Sequence, residues 1–196
     1  MRAAERNDYK RGWFGRRARH LNDRRFIFVD ESAVNTAMTR RYGRAPKGER
    51  ASDSAPRNYG THTSVIGATG LRGLVAALTV EGAVDTGCFN AYAERVPGPR
   101  LRRGDVVVLD NPTAHRASRI EEVAAARGAR VLWLPPYSPG HSPIEQCRSK
   151  IKAHLRGAKA RTREALEESL TAALGLVTKA DIRGRFKHCG YSLARE

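Results

Sequence analysis

The sequence predicts an α/β domain built on a mixed five-stranded sheet flanked by helices. Three observations predict it. The continuously apolar runs Phe26-Ile27-Phe28-Val29 and Val106-Val107-Val108-Leu109 have the length and composition of strands buried on both faces. The later strands alternate with helical patterns, and such βαβ units require parallel pairing. Two earlier strand-like runs are joined by a short Gly-containing connection, which makes them an antiparallel hairpin.

The elements follow in order. Residues 1–25 are rich in Arg and Lys, with Trp13 and Phe14 as the strong apolar pair, and read as a short helix or basic arm. Phe26 to Asp30 is the first strand. Residues 40–60, carrying Arg40, Arg41, Arg44, Lys47 and Arg50 among Gly and Pro, form an irregular basic loop or loose hairpin. Thr61 to Ala68 and Leu74 to Val80 are strands around the connection Thr69-Gly70-Leu71-Arg72-Gly73. Thr86 to Val96 is helical, with Phe89, Tyr92, Ala93 and Val96 on one face, and Pro97-Gly98-Pro99 stops it. Asp105 to Asp110 is the clearest strand. Ala117 to Arg127 is a helix ending at Gly128, and Arg130 to Leu134 is the last strand. Pro143 opens a helix reaching about Arg156. Thr162 caps another that runs to about Val177 through Leu166, Leu170 and Leu174.

Composition sets the class of partner. The 196 residues suit one domain. With 36 Lys and Arg against 20 Asp and Glu, the formal charge is +16, the electrostatic footprint of a polyanion binder. Nucleic acid is the expected partner. An acidic membrane surface is disfavoured, because no long basic amphipathic helix with an aromatic face appears. Cys88, Cys147 and Cys189 are far apart and form no Cys-x-x-Cys pair, which argues against a disulfide framework or zinc knuckle and for a reducing compartment. No apolar segment follows the basic N-terminus as in a signal peptide, and the apolar stretch around Leu74 to Val80 is too short to span a membrane.

Three acids carry the candidate chemistry: Asp30, Asp110 and Glu145. Each has an ordinary structural reading. Asp30 can begin a turn with help from Ser32, Asp110-Asn111-Pro112 is turn-like, and Ser142-Pro143-Ile144-Glu145 is a capping box. On the first strand, Phe26, Phe28 and Asp30 share one face, while Ile27, Val29 and Glu31 share the other. Either acid can serve there. Asp30 is favoured, because Asp110 lies beside it if the two strands are parallel neighbours. Beyond Glu145 the same helix face continues through Arg148, Ser149, Lys152 and Arg156, opposite a core face of Ile144, Cys147, Ile151 and Leu155. Converging carboxylates repel without a cation, and hard oxygen ligands suit Mg²⁺ or Mn²⁺, with two ions expected. Core packing is the expected job of Trp133 and Tyr137. Tyr137 has the alternative of stacking near a frayed or flipped base.

A mixed sheet with acids ending its first and fourth strands is the ribonuclease-H-like pattern. With Phe28-Val29-Asp30-Glu31-Ser32, Gly43-Arg44-Ala45-Pro46-Lys47-Gly48, Val108-Leu109-Asp110-Asn111 with His115, and Leu134-Pro135-Pro136-Tyr137-Ser138-Pro139 followed by Pro143-Ile144-Glu145, the chain resembles the DDE transposases of bacterial insertion sequences in the mariner-like superfamily. Thirty-four residues separate Asp110 from Glu145, the spacing this branch keeps. The resemblance runs from about Arg24 to Tyr191. It implies a catalytic domain over residues 24–191, a basic arm or short helix over 1–23, and a tail over 192–196.

The resemblance also implies a metal-binding catalytic triad of Asp30, Asp110 and Glu145. Asn111 and His115 are candidate supporting groups, while a partly exposed place in the helix-start loop is the default reading of His115. Cleavage at transposon ends and strand transfer into target DNA are implied with it. Arg40, Arg41, Arg44, Lys47, Arg148, Lys152 and Arg156 are the expected phosphate contacts, within basic stretches running from Arg40 to Arg50 and from Arg148 to Arg163. The implied partners are double-stranded DNA, as terminal inverted repeats and target, and a second copy of the chain in the DNA complex. The implied location is a bacterial cytoplasm, at the nucleoid when DNA is bound. Two departures are visible. Gly140-His141-Ser142 stands where the family usually has Asp-Leu-Asn, removing an acid and an Asn beside the third ligand. The family's N-terminal helix-turn-helix region has no counterpart among the motifs. The chain therefore reads as the catalytic frame of a split gene, with a separate helix-turn-helix protein from an upstream frame, or as a truncated copy. An active endonuclease is the first expectation, and a remnant that binds DNA without cutting it is the alternative. A cellular ribonuclease-H-like nuclease or resolvase ranks third.

Overall fold

A computed structural model describes residues 6–58, 62–110 and 114–193, with the side chains of residues 114–117 excepted. Helix α1 spans Asp8–Arg19, and Asn7 caps it by accepting from the Lys10 amide. The strands are β1 (Phe26–Val34), β2 (Thr63–Gly70), β3 (Gly73–Glu81), β4 (Val106–Leu109) and β5 (Arg130–Trp133). Helix α2 (Thr86–Arg95) lies between β3 and β4, and α3 (Ala114–Ala126) between β4 and β5. Helices α4 (Pro143–Ala158), α5 (Arg163–Gly175) and α6 (Lys179–His188) follow the sheet.

The strand order is β3-β2-β1-β4-β5. β1 pairs antiparallel with β2 and parallel with β4, and β4 pairs parallel with β5. This is the mixed sheet expected from the sequence. Alternation along β1 divides the core. Phe26 and Phe28 face a cluster with Phe14, Val106, Val108, Ile144, Ile182, Phe186 and Tyr191, built with α1, α4 and α6. Ile27 and Val29 face a second cluster with Val107, Leu109, Phe89, Tyr92, Ile120 and Ala124, built with α2 and α3. A third cluster joins Val34 and Leu155 to Leu166 and Leu170 of α5. No helix among the described residues is long and apolar enough to cross a membrane.

Several boundaries differ from expectation. β1 runs four residues past Asp30 because its whole length pairs with β2, from Ile27 opposite Gly70 to Val34 opposite Thr63. The hairpin turn between β2 and β3 shrinks to Leu71-Arg72, with Gly73 taking a φ of +128° that suits glycine. β4 begins at Val106 because the buried Asp105 closes the preceding turn, accepting from the Arg102 amide at 2.8 Å. Helix α6 was not expected from the sequence. Its apolar signal is only Ile182 and Phe186 among charges, yet both are fully buried. Thr178 and Asp181 form a reciprocal capping box at its start. The box expected at Ser142 is absent: Ser142 is the N-cap by backbone geometry but makes no side-chain cap. Glu145 is turned elsewhere.

Candidate active site

β1 and β4 run side by side with Phe26 opposite Val106 and Phe28 opposite Val108. Two residues further on, this register carries Asp30 to the level of Asp110. Asp30 continues the β1 alternation past Phe28, and Asp110 directly follows the last residue of β4. Asp30, Asp110 and Glu145 line one cleft of about 470 Å³, with Pro136, Tyr137 and Pro139 on its lip. Of the two adjacent acids on β1, Asp30 lines this cleft and Glu31 does not.

The local electrostatics follow from this placement. Asp30 accepts from the Glu31 amide through Oδ1 at 2.8 Å. Its Oδ2 is buried and receives no hydrogen bond, although Arg148 Nη1 lies 3.0 Å away. Burial pushes the Asp30 carboxyl up to about 6, Arg148 opposes this, and Glu145 and Asp110 add repulsion. Burial raises Asp110 as well, with Arg148 again pulling the other way. Arg148 Nη2 donates to Glu145 Oε2, and Nη1 donates to the Glu31 carbonyl at 3.2 Å. One guanidinium thus bridges the acid on β1 and the acid on α4. Among the described residues, no three acids, histidines or cysteines are drawn together tightly enough to form a ready metal cluster.

The segment leading to Glu145 is held by packing. His141 stacks on Phe14 with ring centres 5.3 Å apart, and its carbonyl accepts from the Tyr191 hydroxyl at 2.6 Å. Burial, with help from Arg11 and Arg6, keeps the His141 imidazole below its ordinary value. Trp133 packs partly against the α2–α3 core, as expected, and its indole N–H donates to Glu121 at 3.0 Å. Tyr137 does not pack in the core. It is 56% exposed at the cleft and holds a φ of +52°. Two short polar contacts hold this turn: Arg11 donates to the Tyr137 carbonyl at 3.2 Å, and Ser138 Oγ to the Pro136 carbonyl at 3.3 Å. The flanking prolines of the Pro-Pro-Tyr-Ser-Pro string make an irregular turn, and Tyr137 at its apex is exposed instead of packing in the core as expected.

The expected phosphate contacts divide into two groups. Arg41, Arg44 and Lys47 are exposed on the excursion between β1 and β2. Arg40 of the same excursion lies against Gly157 near the end of α4, where a side-chain carbon would meet its guanidinium at 3.1 Å. Lys152 and Arg156 are half-buried along α4. Burial and the neighbouring Arg148 and Arg156 charges lower the Lys152 ammonium. Other cations of the expected basic stretch serve the fold. Lys150 binds Asp181 and Lys159 binds Asp53. Arg161 donates to the Thr36 and Met38 carbonyls at 2.7 and 3.2 Å, and Arg163 pairs with Glu81 and Glu167. Asn111 and the His115 side chain lie outside the described residues.

The family model of the DDE superfamily endonucleases matches residues 25–167. No curated protein matches the sequence. Among solved structures, the fold is similar to the Mos1 transposase paired-end complex with left transposon end, at 16% identity and a TM-score of 0.70, over 95% of this chain and 58% of that one. It is similar to the Mos1 mariner paired-end complex with Mn, at 16% identity and a TM-score of 0.65, over 99% of this chain and 64% of that one. The catalytic domain of Mos1 mariner transposase matches at 15% identity and a TM-score of 0.61, over 93% of this chain and 86% of that domain. The chain thus spans less than two thirds of the length of the full transposase chains it matches. The shared architecture is the ribonuclease-H-like sheet flanked by helices.

Proposed function

Because this chain belongs to the DDE superfamily endonucleases, we propose that it is the catalytic domain of a transposase. In this reading it cuts DNA phosphodiester bonds at the ends of an insertion sequence and joins the freed 3′ end to target DNA. The observation that supports the reading best is the convergence of Asp30, Asp110 and Glu145 on one cleft from three separate elements. Two adjacent strand ends and a helix start supply one carboxylate each, a costly arrangement unless a cation compensates it.

The donor set fits a divalent ion. All three side chains offer hard oxygens, and Asp30 Oδ2 is a buried acceptor with no donor bonded to it. Asp30, Asp110 and Glu145 would hold Mg²⁺ or Mn²⁺, as two ions. When bound, such ions activate the attacking water or 3′-hydroxyl and stabilise the leaving oxygen of an in-line displacement.

The chain's own residues do the positioning. The Glu31 amide fixes Asp30 Oδ1, which leaves Oδ2 beside the Arg148 guanidinium. Arg40, Arg41, Arg44, Lys47, Lys152 and Arg156 grip the phosphates of double-stranded DNA, the terminal repeats and the target in turn. Tyr137 at the lip stands where a frayed base can stack on its ring. A second copy of the chain completes the two-ended DNA complex, and a separate helix-turn-helix protein locates the ends.

A nicking assay on duplex DNA carrying the element's end sequence, in Mg²⁺, tests the proposal. Wild type should nick the strand, and Asp110→Asn should lose at least about 100-fold while keeping its fold, as expected when a metal-held nucleophile is lost. Equal rates for the two proteins would sink the triad assignment.

A further inference from the structure

Arg148 makes contacts that a simple phosphate-binding arginine has no need of. Its Nη1 lies 3.0 Å from Asp30 Oδ2 and donates to the Glu31 carbonyl, while Nη2 donates to Glu145 Oε2. The helix makes this pairing natural. Arg148 follows Glu145 by three residues and so shares its face, and α4 packs on β1, where Asp30 waits. The three side chains screen one another from water, with 31%, 17% and 25% of Arg148, Asp30 and Glu145 left exposed. Its charge also reaches Asp110 across the cleft. A guanidinium therefore stands between two of the acids, where a shared cation would be bound.

Two positive charges cannot occupy that point together. A divalent ion held by Asp30 and Glu145 would meet the guanidinium within a few ångströms, inside a partly desolvated cleft where repulsion is poorly screened. One of the two must leave. Arg148 sits on the α4 face that also carries Lys152 and Arg156, the face the proposed function gives to DNA, so a phosphate is the alternative partner within reach of its side chain.

We infer that Arg148 is a resident cation that blocks metal binding at Asp30 and Glu145 until a substrate phosphate draws its guanidinium away, so that metal loading depends on DNA. This rests on the reading of Asp30 and Glu145 as metal ligands. It adds a device that excludes the metal from the empty enzyme and thereby suppresses cleavage before the duplex is seated. By linkage, DNA must tighten metal binding by the same factor as metal tightens DNA binding.

Mn²⁺ binding, followed by the paramagnetic resonance signal of the free ion, tests this with and without a short duplex. Wild type should bind Mn²⁺ weakly alone and roughly tenfold more tightly with duplex, the factor expected from displacing one half-buried ion pair. Arg148→Gln should bind tightly without DNA and gain less from the duplex. Asp30→Asn should bind weakly in both conditions. If Arg148→Gln binds Mn²⁺ no more tightly than wild type while Asp30→Asn has lost it, the gate is wrong and the ligand assignment stands. If Asp30→Asn matches wild type throughout, the ligand assignment itself falls. Should Arg148→Gln fail to fold, Arg148→Lys serves, because a single ammonium cannot bridge both acids. Its melting temperature should rise more with Mn²⁺ than that of wild type, and an equal rise would overturn the inference.

Discussion

Replacing Asp30 with Asn should make the metal-free protein more stable while removing its activity. The carboxyl is raised from 3.8 to about 6, chiefly by burial, with Arg148 only partly offsetting it. A raised value means that the folded state holds the proton more tightly than the unfolded state. The penalty for an ionised Asp30 is therefore absent below the unfolded value of 3.8, grows as pH rises toward 6, and is constant above it. At about 1.4 kcal/mol per pH unit, the ceiling of that penalty is about 3 kcal/mol. Asn keeps the Oδ1 acceptor for the Glu31 amide and carries no charge. Urea unfolding at a series of pH values should then give matched stabilities near pH 4 and an advantage for Asp30→Asn approaching about 3 kcal/mol at pH 8. An Asn variant no more stable than wild type at pH 8, or a difference that does not change with pH, would refute the reasoning.

Other outcomes can be stated from the packing. Phe186→Ala should cost about 3–5 kcal/mol in chemical denaturation, because its fully buried ring packs edge-on against Phe28 at 5.4 Å; a cost below about 1 kcal/mol would mean that α6 is not part of the core. Tyr137→Gly should raise stability by about 1 kcal/mol, since a φ of +52° strains any side chain but suits glycine. The same change should weaken binding to frayed DNA ends, and loss of stability would contradict the strain. Arg161→Ala should speed proteolysis within residues 40–58, because Arg161 donates to the Thr36 and Met38 carbonyls, Thr39 Oγ1 and the Ser54 carbonyl; unchanged cleavage would show that other contacts hold the excursion. Six cations on phosphates predict a log–log salt slope of about −5 for duplex binding, and a slope near zero would remove the electrostatic interface.

Most of the sheet was legible because its central strands are apolar on both faces. Val106–Leu109 has no other plausible structure, and the βαβ order around it leaves parallel pairing as the solution. That order in turn makes Asp30 and Asp110 neighbours. The weak places were those where one tertiary contact outweighs the local pattern. Helix α6 carries two large apolar side chains among six charged or polar ones, and only the aromatic cluster of Phe28, Phe186 and Tyr191 gives it a reason to dock. The Ser142 box failed because Arg148, on the same helix face, offers Glu145 a charged partner in place of the cap amide. Basic residues were easy to count and hard to assign. Lys150, Lys159, Arg161 and Arg163 bind groups far away in the sequence, and no local pattern reveals such partners.

The position of β1 at the centre of the sheet also governs when the cleft can come into being during synthesis. One edge of β1 needs β2, the other needs β4, and its Phe26–Phe28 face is closed by Phe186 and Tyr191 near the far end of the chain. Every one of these contacts spans a long stretch of sequence, and the chain that emerges first cannot make them alone. Until α4 has been made, Asp30 has neither Glu145 nor Arg148 beside it. A polypeptide stopped before α6 would leave a broad aromatic surface bare beside its acids. The cleft is thus among the last parts of the molecule to be assembled.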